Sequence, residues 1–200
     1  MAKHDMSESI LTMNAQANWE AWLEQHGATS PAVWLRIAKK GAAQPTLTYA
    51  EALESALCFG WIDGQKKSQD EHYWLQRFTP RTPKSIWSQV NKAKVETLIA
   101  SGRMRAAGLL AIERAKEDGR WDAAYASAST AEVPGDLQQA LDGNSEAKAF
   151  FAGLDSRNRY AILFRVHNCK KPETRAKRIA QFVDMLSKGE TIHPKSGSNA

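Results

Sequence analysis

The sequence predicts an α+β protein, predominantly helical, with a small antiparallel sheet and helices in the N-terminal part and an all-helical C-terminal part. Two observations carry that expectation. Every strand signal lies before Pro80, and from Ser85 onward apolar residues recur at helical spacing. Strands and helices segregated in this way argue against a βαβ nucleotide fold. The chain has 200 residues, 42% hydrophobic and 24% charged, which fits one globular domain or a small pair of them and not a disordered chain.

The elements follow in order. Trp19, Trp22, Leu23 and His26 stand at i, i+3, i+4 and i+7, an amphipathic helix stripe closed by Gly27. Val33-Trp34-Leu35-Arg36-Ile37 alternates with period two and reads as a strand. Thr48 and Glu51 fit a capping box, in which hydroxyl and carboxylate each satisfy an orphan amide. The helix they open carries Leu53, Ala56 and Leu57 and stops near Gly60. Trp61-Ile62 begins a second short strand and Tyr73 to Phe78 forms a third.

Beyond them, Ser85 to Ile99 and Arg105 to Lys116 read as helices, with Gly102 and Gly119 as stops. Ala123 to Gly135 is rich in Ala, Ser and Thr and ends in Pro134-Gly135, the best linker in the chain. Three or four helical segments come next. Asn144-Ser145 caps one, Tyr160, Leu163, Phe164 and His167 stripe another, and Pro172 opens the last, with Ile179, Phe182, Val183 and Leu186 on one face. The expected organisation is an N-terminal α+β module over 14–122, a basic helical module over 134–188 and a flexible tail over 189–200.

Several function classes lack their signatures. No G-x-G-x-x-G, P-loop, H-E-x-x-H or G-x-S-x-G occurs. The five histidines and two cysteines show no ligand spacing, so neither a metal nor a cofactor is expected. Cys58 lies in the apolar run Leu57-Cys58-Phe59, which suits a buried small hydrophobe better than an activated thiol. No apolar run of about 18 residues is present to span a bilayer. The stretch Met1 to Leu11 is too polar for the h-region of a secretory signal, so a cytoplasmic protein is expected.

One block concentrates residues able to recognise a ligand. It reads Ala56 to Gly64 (ALCFGWIDG), Arg77 to Arg81 (RFTPR) and Ser85 to Lys94 (SIWSQVNKAK). On a helix begun at Ser85, Trp87, Asn91, Val95 and Leu98 share a face. Asn91 then falls in an apolar stripe, and a buried amide draws polar partners because leaving it unpaired costs about 1–3 kcal/mol. Trp61, Asp63, Arg77, Arg81, Ser88 and Asn91 are the candidate lining of a pocket for an anionic or polar ligand. Asn91 could equally tie down a neighbouring backbone, and Asp63 could be a turn residue or an ion-pair partner of Arg77 or Arg81. A catalytic alternative makes Asp63 the acid/base, with Arg77 and Arg81 clamping the anion of a small polar substrate.

These three segments, with LIASGRM and AKEDGRWDAAY further on, resemble the motifs of the YdeI/OmpD-associated family, also called bacteriocin-protection proteins. The likeness runs from about Trp19 to Leu186. It implies a bacterial protein with a role in resistance to envelope-directed peptides or in association with a porin, and no established reaction. A non-catalytic binding or stress-resistance protein is therefore the expectation that joins the residues to the resemblance. Some family descriptions imply the periplasm, from which this N-terminus departs.

Charge adds a second expectation. Residues 156–200 hold ten Lys/Arg against three Asp/Glu, while 1–155 hold 17 basic and 19 acidic residues, so the formal +5 sits in the last 45 residues. A local excess also runs from Gln76 to Arg105, with seven basic residues opposed by Glu96. Attraction of phosphates alone predicts weak binding of polyanions without sequence specificity. Titration with nucleic acid and anionic vesicles should show binding at low salt that mostly vanishes at physiological salt, where the Debye length is about 8 Å. Absence of binding at low salt would refute the expectation.

Overall fold

The computed structural model describes residues 8–194, and the chain divides into two compact units. The first holds the chain through Trp87 and Asn91–Ala124; the second holds Ser88–Val90 and the chain from Tyr125 onward.

The first unit is built on a four-stranded sheet in the order β1-β2-β4-β3, formed by β1 (Ile10–Thr12), β2 (Val33–Ala38), β3 (Trp61–Ser68) and β4 (Tyr73–Pro80). β2 and β3 each pair antiparallel with β4, placing Val33 opposite Phe78 and Trp61 opposite Pro80. The sheet differs from the expected one at both edges. β1 is an added strand, parallel to β2 with Ile10 opposite Trp34, so the sheet is mixed and not purely antiparallel. Three residues show no periodicity to read, and the strand exists only through its ladder to β2. β3 runs to Ser68, well past Ile62, because its second half pairs with β4 while its side chains face solvent.

Helices α1 (Gln16–His26) and α2 (Tyr49–Cys58) contribute the apolar side chains that cover one face of this sheet. Trp19 is wholly buried against Phe78, stacks on Trp22, and donates its indole N–H to the Ala52 carbonyl at 3.0 Å. Trp61 donates likewise to the Gly27 carbonyl at 3.1 Å. A buried indole with its donor satisfied gives large apolar burial without a polar penalty. The capping box at α2 is present: the Thr48 hydroxyl accepts from the Glu51 N–H at 3.2 Å, and the Glu51 carboxylate accepts from the Thr48 N–H at 2.7 Å.

Two further helices, α3 (Gln89–Ala100) and α4 (Ala106–Glu117), complete the N-terminal half. The sequence places the start of α3 at Ser85, but the helix begins at Gln89, leaving Trp87 outside it. The backbone groups of the missing turn are engaged elsewhere. The Ser85 carbonyl accepts from Arg120 at 2.8 Å, the Ile86 carbonyl from Arg81 at 3.2 Å, and the Gln89 N–H donates to the Tyr125 carbonyl at 2.9 Å. The Gln89 N–H is the donor that a helical turn would direct at the Ser85 carbonyl, and its bond to Tyr125 withdraws it from that turn.

The second unit contains α5 (Gly135–Asp142), α6 (Ser145–Ala152), α7 (Ser156–His167) and α8 (Pro172–Ser187) around Leu137, Leu141, Ile162, Val166, Phe182 and Leu186. Asn144 caps α6 by accepting from the Ala147 N–H at 2.9 Å, and Asp155 caps α7 by accepting from the Asn158 N–H at 2.7 Å. Pro172 occupies the first turn of α8. Of the tail read as flexible, residues 195–200 lie outside the described residues, as does His4. The part before them is tied to α7, with the buried Asn158 amide bonded to both the N–H and the carbonyl of His193.

The backbones of α2 and α4 approach closely at Gly108. A Cβ placed on Gly108 would overlap the Cys58 carbonyl, and the Arg105 N–H already donates to that carbonyl at 3.1 Å. Gly108→Ala should therefore cost about 1–3 kcal/mol in urea unfolding despite the better helix propensity of alanine. Gly135→Ala, with nothing within 4 Å of the new Cβ, should stay within about 0.5 kcal/mol of wild type. Equal effects of the two would show that the α2–α4 contact is looser than described.

Candidate functional site

A cleft of about 530 Å³ opens in the first unit where the chain passes from α2 into β3 and leaves β4. Gly60 makes the first passage possible. Its φ of +74° belongs to the left-handed region, and a Cβ there would stand 2.7 Å from the Ala107 carbonyl oxygen. Its own carbonyl accepts from the Arg81 N–H at 2.9 Å, closing the end of the hairpin over Trp61. Phe59, Trp61 and Pro80 line one side. Ala107, Leu110, Ala111 and Arg114 line the other from one face of α4, at i, i+3, i+4 and i+7.

Three arginines and two carboxylates, Glu117 and Asp118, are set into this lining. The Arg81 guanidinium lies 3.5 Å from the centre of the Trp87 ring and donates to the Ile86 carbonyl. Stacking over an indole holds a guanidinium flat without neutralising its charge. Arg120 is buried and fully engaged, with Nε 2.8 Å from the Asp118 carboxylate, Nη2 2.7 Å from it, and Nη1 donating to the Ser85 carbonyl. Arg114 is exposed and takes part in no salt bridge among the described residues. With Arg120 committed to Asp118 and Ser85, Arg114 is the exposed guanidinium of a partly apolar cleft that Arg81 also lines, an arrangement suited to a carboxylate or phosphate carried on an apolar body.

Of the six residues singled out in the sequence, Trp61 and Arg81 line the cleft; Asp63, Arg77, Ser88 and Asn91 do not. Strand parity separates the first two of these four. Asp63 is paired with Phe78, so Arg77, one residue earlier, projects to the opposite face of the sheet. Asp63 accepts from the Tyr49 hydroxyl at 2.7 Å. Arg77 instead makes a two-pronged contact with Glu8, at 2.7 and 2.5 Å. The acid/base reading needed Asp63 and Arg77 on one substrate, and their opposite orientation withholds that. Ser88 is buried and pairs through its backbone with Tyr125, and Asn91 is buried in the first turn of α3.

The sequence reading did not single out Arg114, Asp118 or Arg120. The i, i+3, i+4, i+7 placement of Ala107, Leu110, Ala111 and Arg114 was a legible signal for the first; nothing local announces that Arg120 reaches back to Ser85. Burial pushes the Cys58 thiol up, away from nucleophilic character. Among the described residues no three His, Cys, Asp or Glu side chains are grouped to hold a metal ion, and no helix is long and apolar enough to cross a membrane.

Two family models match the chain. One, described as a domain of unknown function (DUF8412), covers residues 11–111, just over half of the chain. The other, described as Bacteriocin-protection, YdeI or OmpD-Associated, covers residues 130–189. The second agrees with the family that the motifs suggested, although it lies C-terminal to the motifs themselves. No curated protein and no solved structure matches the chain.

The Glu8–Arg77 pair yields a pH prediction. The Arg77 guanidinium, chiefly through its hydrogen bonds, holds the Glu8 carboxyl below the usual carboxylate range. A carboxyl whose pKa is lowered on folding stabilises the fold above its unfolded pKa, and that contribution disappears as pH falls through the lowered value. With both side chains about 30% exposed, a double-mutant cycle of Arg77→Ala and Glu8→Gln should give a coupling of about 0.5–1 kcal/mol at pH 7. The coupling should fade toward strongly acidic pH. A coupling that survives protonation of Glu8 would contradict the ion-pair assignment.

Proposed function

The chain belongs to the DUF8412 family, and from its further match over residues 130–189 to the bacteriocin-protection model we propose that it is a non-catalytic binding protein acting in bacteriocin protection or a related stress resistance. Its ligand is a small molecule with an anionic group on an apolar or aromatic body, held in the Trp61–Arg81–Arg114 cleft. The observation that carries this reading is the fixing of Arg81 on the Trp87 ring beside an apolar wall. A guanidinium already held in one plane loses little side-chain freedom on meeting an anion, which favours binding. Arg120 plays a supporting part: with its charge answered by Asp118, it braces the Ser85 carbonyl and the loop that carries Trp87. Arg114 supplies an exposed charge in the lining.

Protection by capture requires recognition without turnover, and it agrees with the description of the family matched over residues 130–189. Inorganic phosphate and phenyl phosphate test the cleft directly, read by tryptophan fluorescence, since Trp61 lines it and Trp87 carries Arg81. Phenyl phosphate should bind more tightly than inorganic phosphate because only it can use the apolar wall. Arg114→Ala should weaken it about tenfold, the loss of one charge-assisted contact, with an unchanged melting temperature. Equal affinity for the two anions, or indifference to Arg114→Ala, would overturn the reading.

A further inference from the structure

The segment read as a linker forms a wall of a second cavity, contained in the second unit, of about 640 Å³. Thr130 to Gly135 line one side, and Tyr125, Tyr160 and Phe164 line the other. The rings meet at steep angles. Tyr125 and Phe164 are 4.9 Å apart at 87°, and Tyr160 and Phe164 are 5.8 Å apart at 46°. Rings so crossed turn faces in different directions, whereas a flat stack hides its faces from a ligand. The Tyr160 hydroxyl is already committed, donating to the Ala126 carbonyl at 3.0 Å, which fixes its ring against the loop.

Charge at this cavity runs against its surroundings. Residues 125–194 contain ten lysines and arginines, yet none lines it, while Glu132 does. His167 is the remaining titratable side chain there besides the two tyrosines. Aromatic faces present negative quadrupole, and a carboxylate beside them adds a full negative charge; both favour a cation. A strongly hydrated ammonium loses too much hydration to enter such a site, whereas a methylated one is weakly hydrated and fills apolar space.

We infer that the Tyr125–Tyr160–Phe164 cavity, with Glu132 at its edge, binds a small quaternary-ammonium cation. This site is separate from the anion cleft of the first unit and differs from it in charge preference. The methyl groups pack on the three rings and on Pro134, and the Glu132 carboxylate balances the charge.

Calorimetric titration of the full chain with choline, and with its neutral isostere 3,3-dimethylbutan-1-ol, separates a cation site from an apolar hole. Choline should saturate in the millimolar range, and the isostere should bind about two- to thirtyfold more weakly, the span expected of cation–π attraction. Glu132 is exposed, so Glu132→Gln should leave the fold intact and weaken choline several-fold. Tyr125→Leu should weaken it further, and Tyr125→Phe should keep the affinity by keeping the ring. Equal binding of choline and the isostere, no saturation by choline, or an affinity indifferent to Glu132→Gln would each overturn the inference.

Discussion

The first unit turns on the place where Gly60 and Gly108 let two backbones touch. At Gly60 the chain needs a left-handed conformation to pass from α2 into β3, within reach of the Ala107 carbonyl. At Gly108 the absence of a side chain lets α4 lie against the Cys58 carbonyl. Both are conditions on space, and no attractive contact could replace them, since a backbone atom cannot rotate away as a side chain can. From them follow the direction of β3, the burial of Trp61, and a cleft whose far wall is the Ala107–Arg114 face.

Arginine carries much of the order built on that base. Arg103 bridges Glu20 of α1 and Glu54 of α2, at 3.2 and 2.8 Å, and Arg120 ties Asp118 to the loop at Ser85. In the second unit Arg175 joins Asp136 and also donates to the Val166 carbonyl. A planar fork can meet a carboxylate and a carbonyl together, which an ammonium does with less geometric definition. Formal charge is therefore a poor map of binding. The basic excess of residues 156–200 is partly answered within the second unit, as where Asp136 pairs with Arg175. Arg81 and Arg114 matter because of where they stand, beside apolar surface.

Local signals translated well where the physics is local. The Thr48–Glu51 capping box, the Asn144 cap, Pro172 in a first turn and the stripe of α8 all lie within one or two helical turns. Each reports how a few consecutive backbone groups are satisfied, and the neighbours in sequence supply the partners. Confinement of strand signals to the first 80 residues likewise fixed an α+β class, because period-two and period-3.6 patterns bury different faces.

The sequence by itself thus determined the class, most helices and the presence of a Trp- and Arg-rich block. Tertiary structure decided which members of that block meet. Sequence spacing leaves Arg77 and Arg81 alike as partners of Asp63; the β3–β4 register places Asp63 and Arg77 on opposite faces, a matter of one residue in a ladder between distant segments. The start of α3 was decided by Arg81, Arg120 and Tyr125 taking the backbone groups of its expected first turn. Ile10–Thr12 became a strand only by pairing with β2. Arg81 apart, which is five residues from Ile86, the partners stand far along the chain, and the outcome depends on pairings between distant backbone groups that no local pattern records.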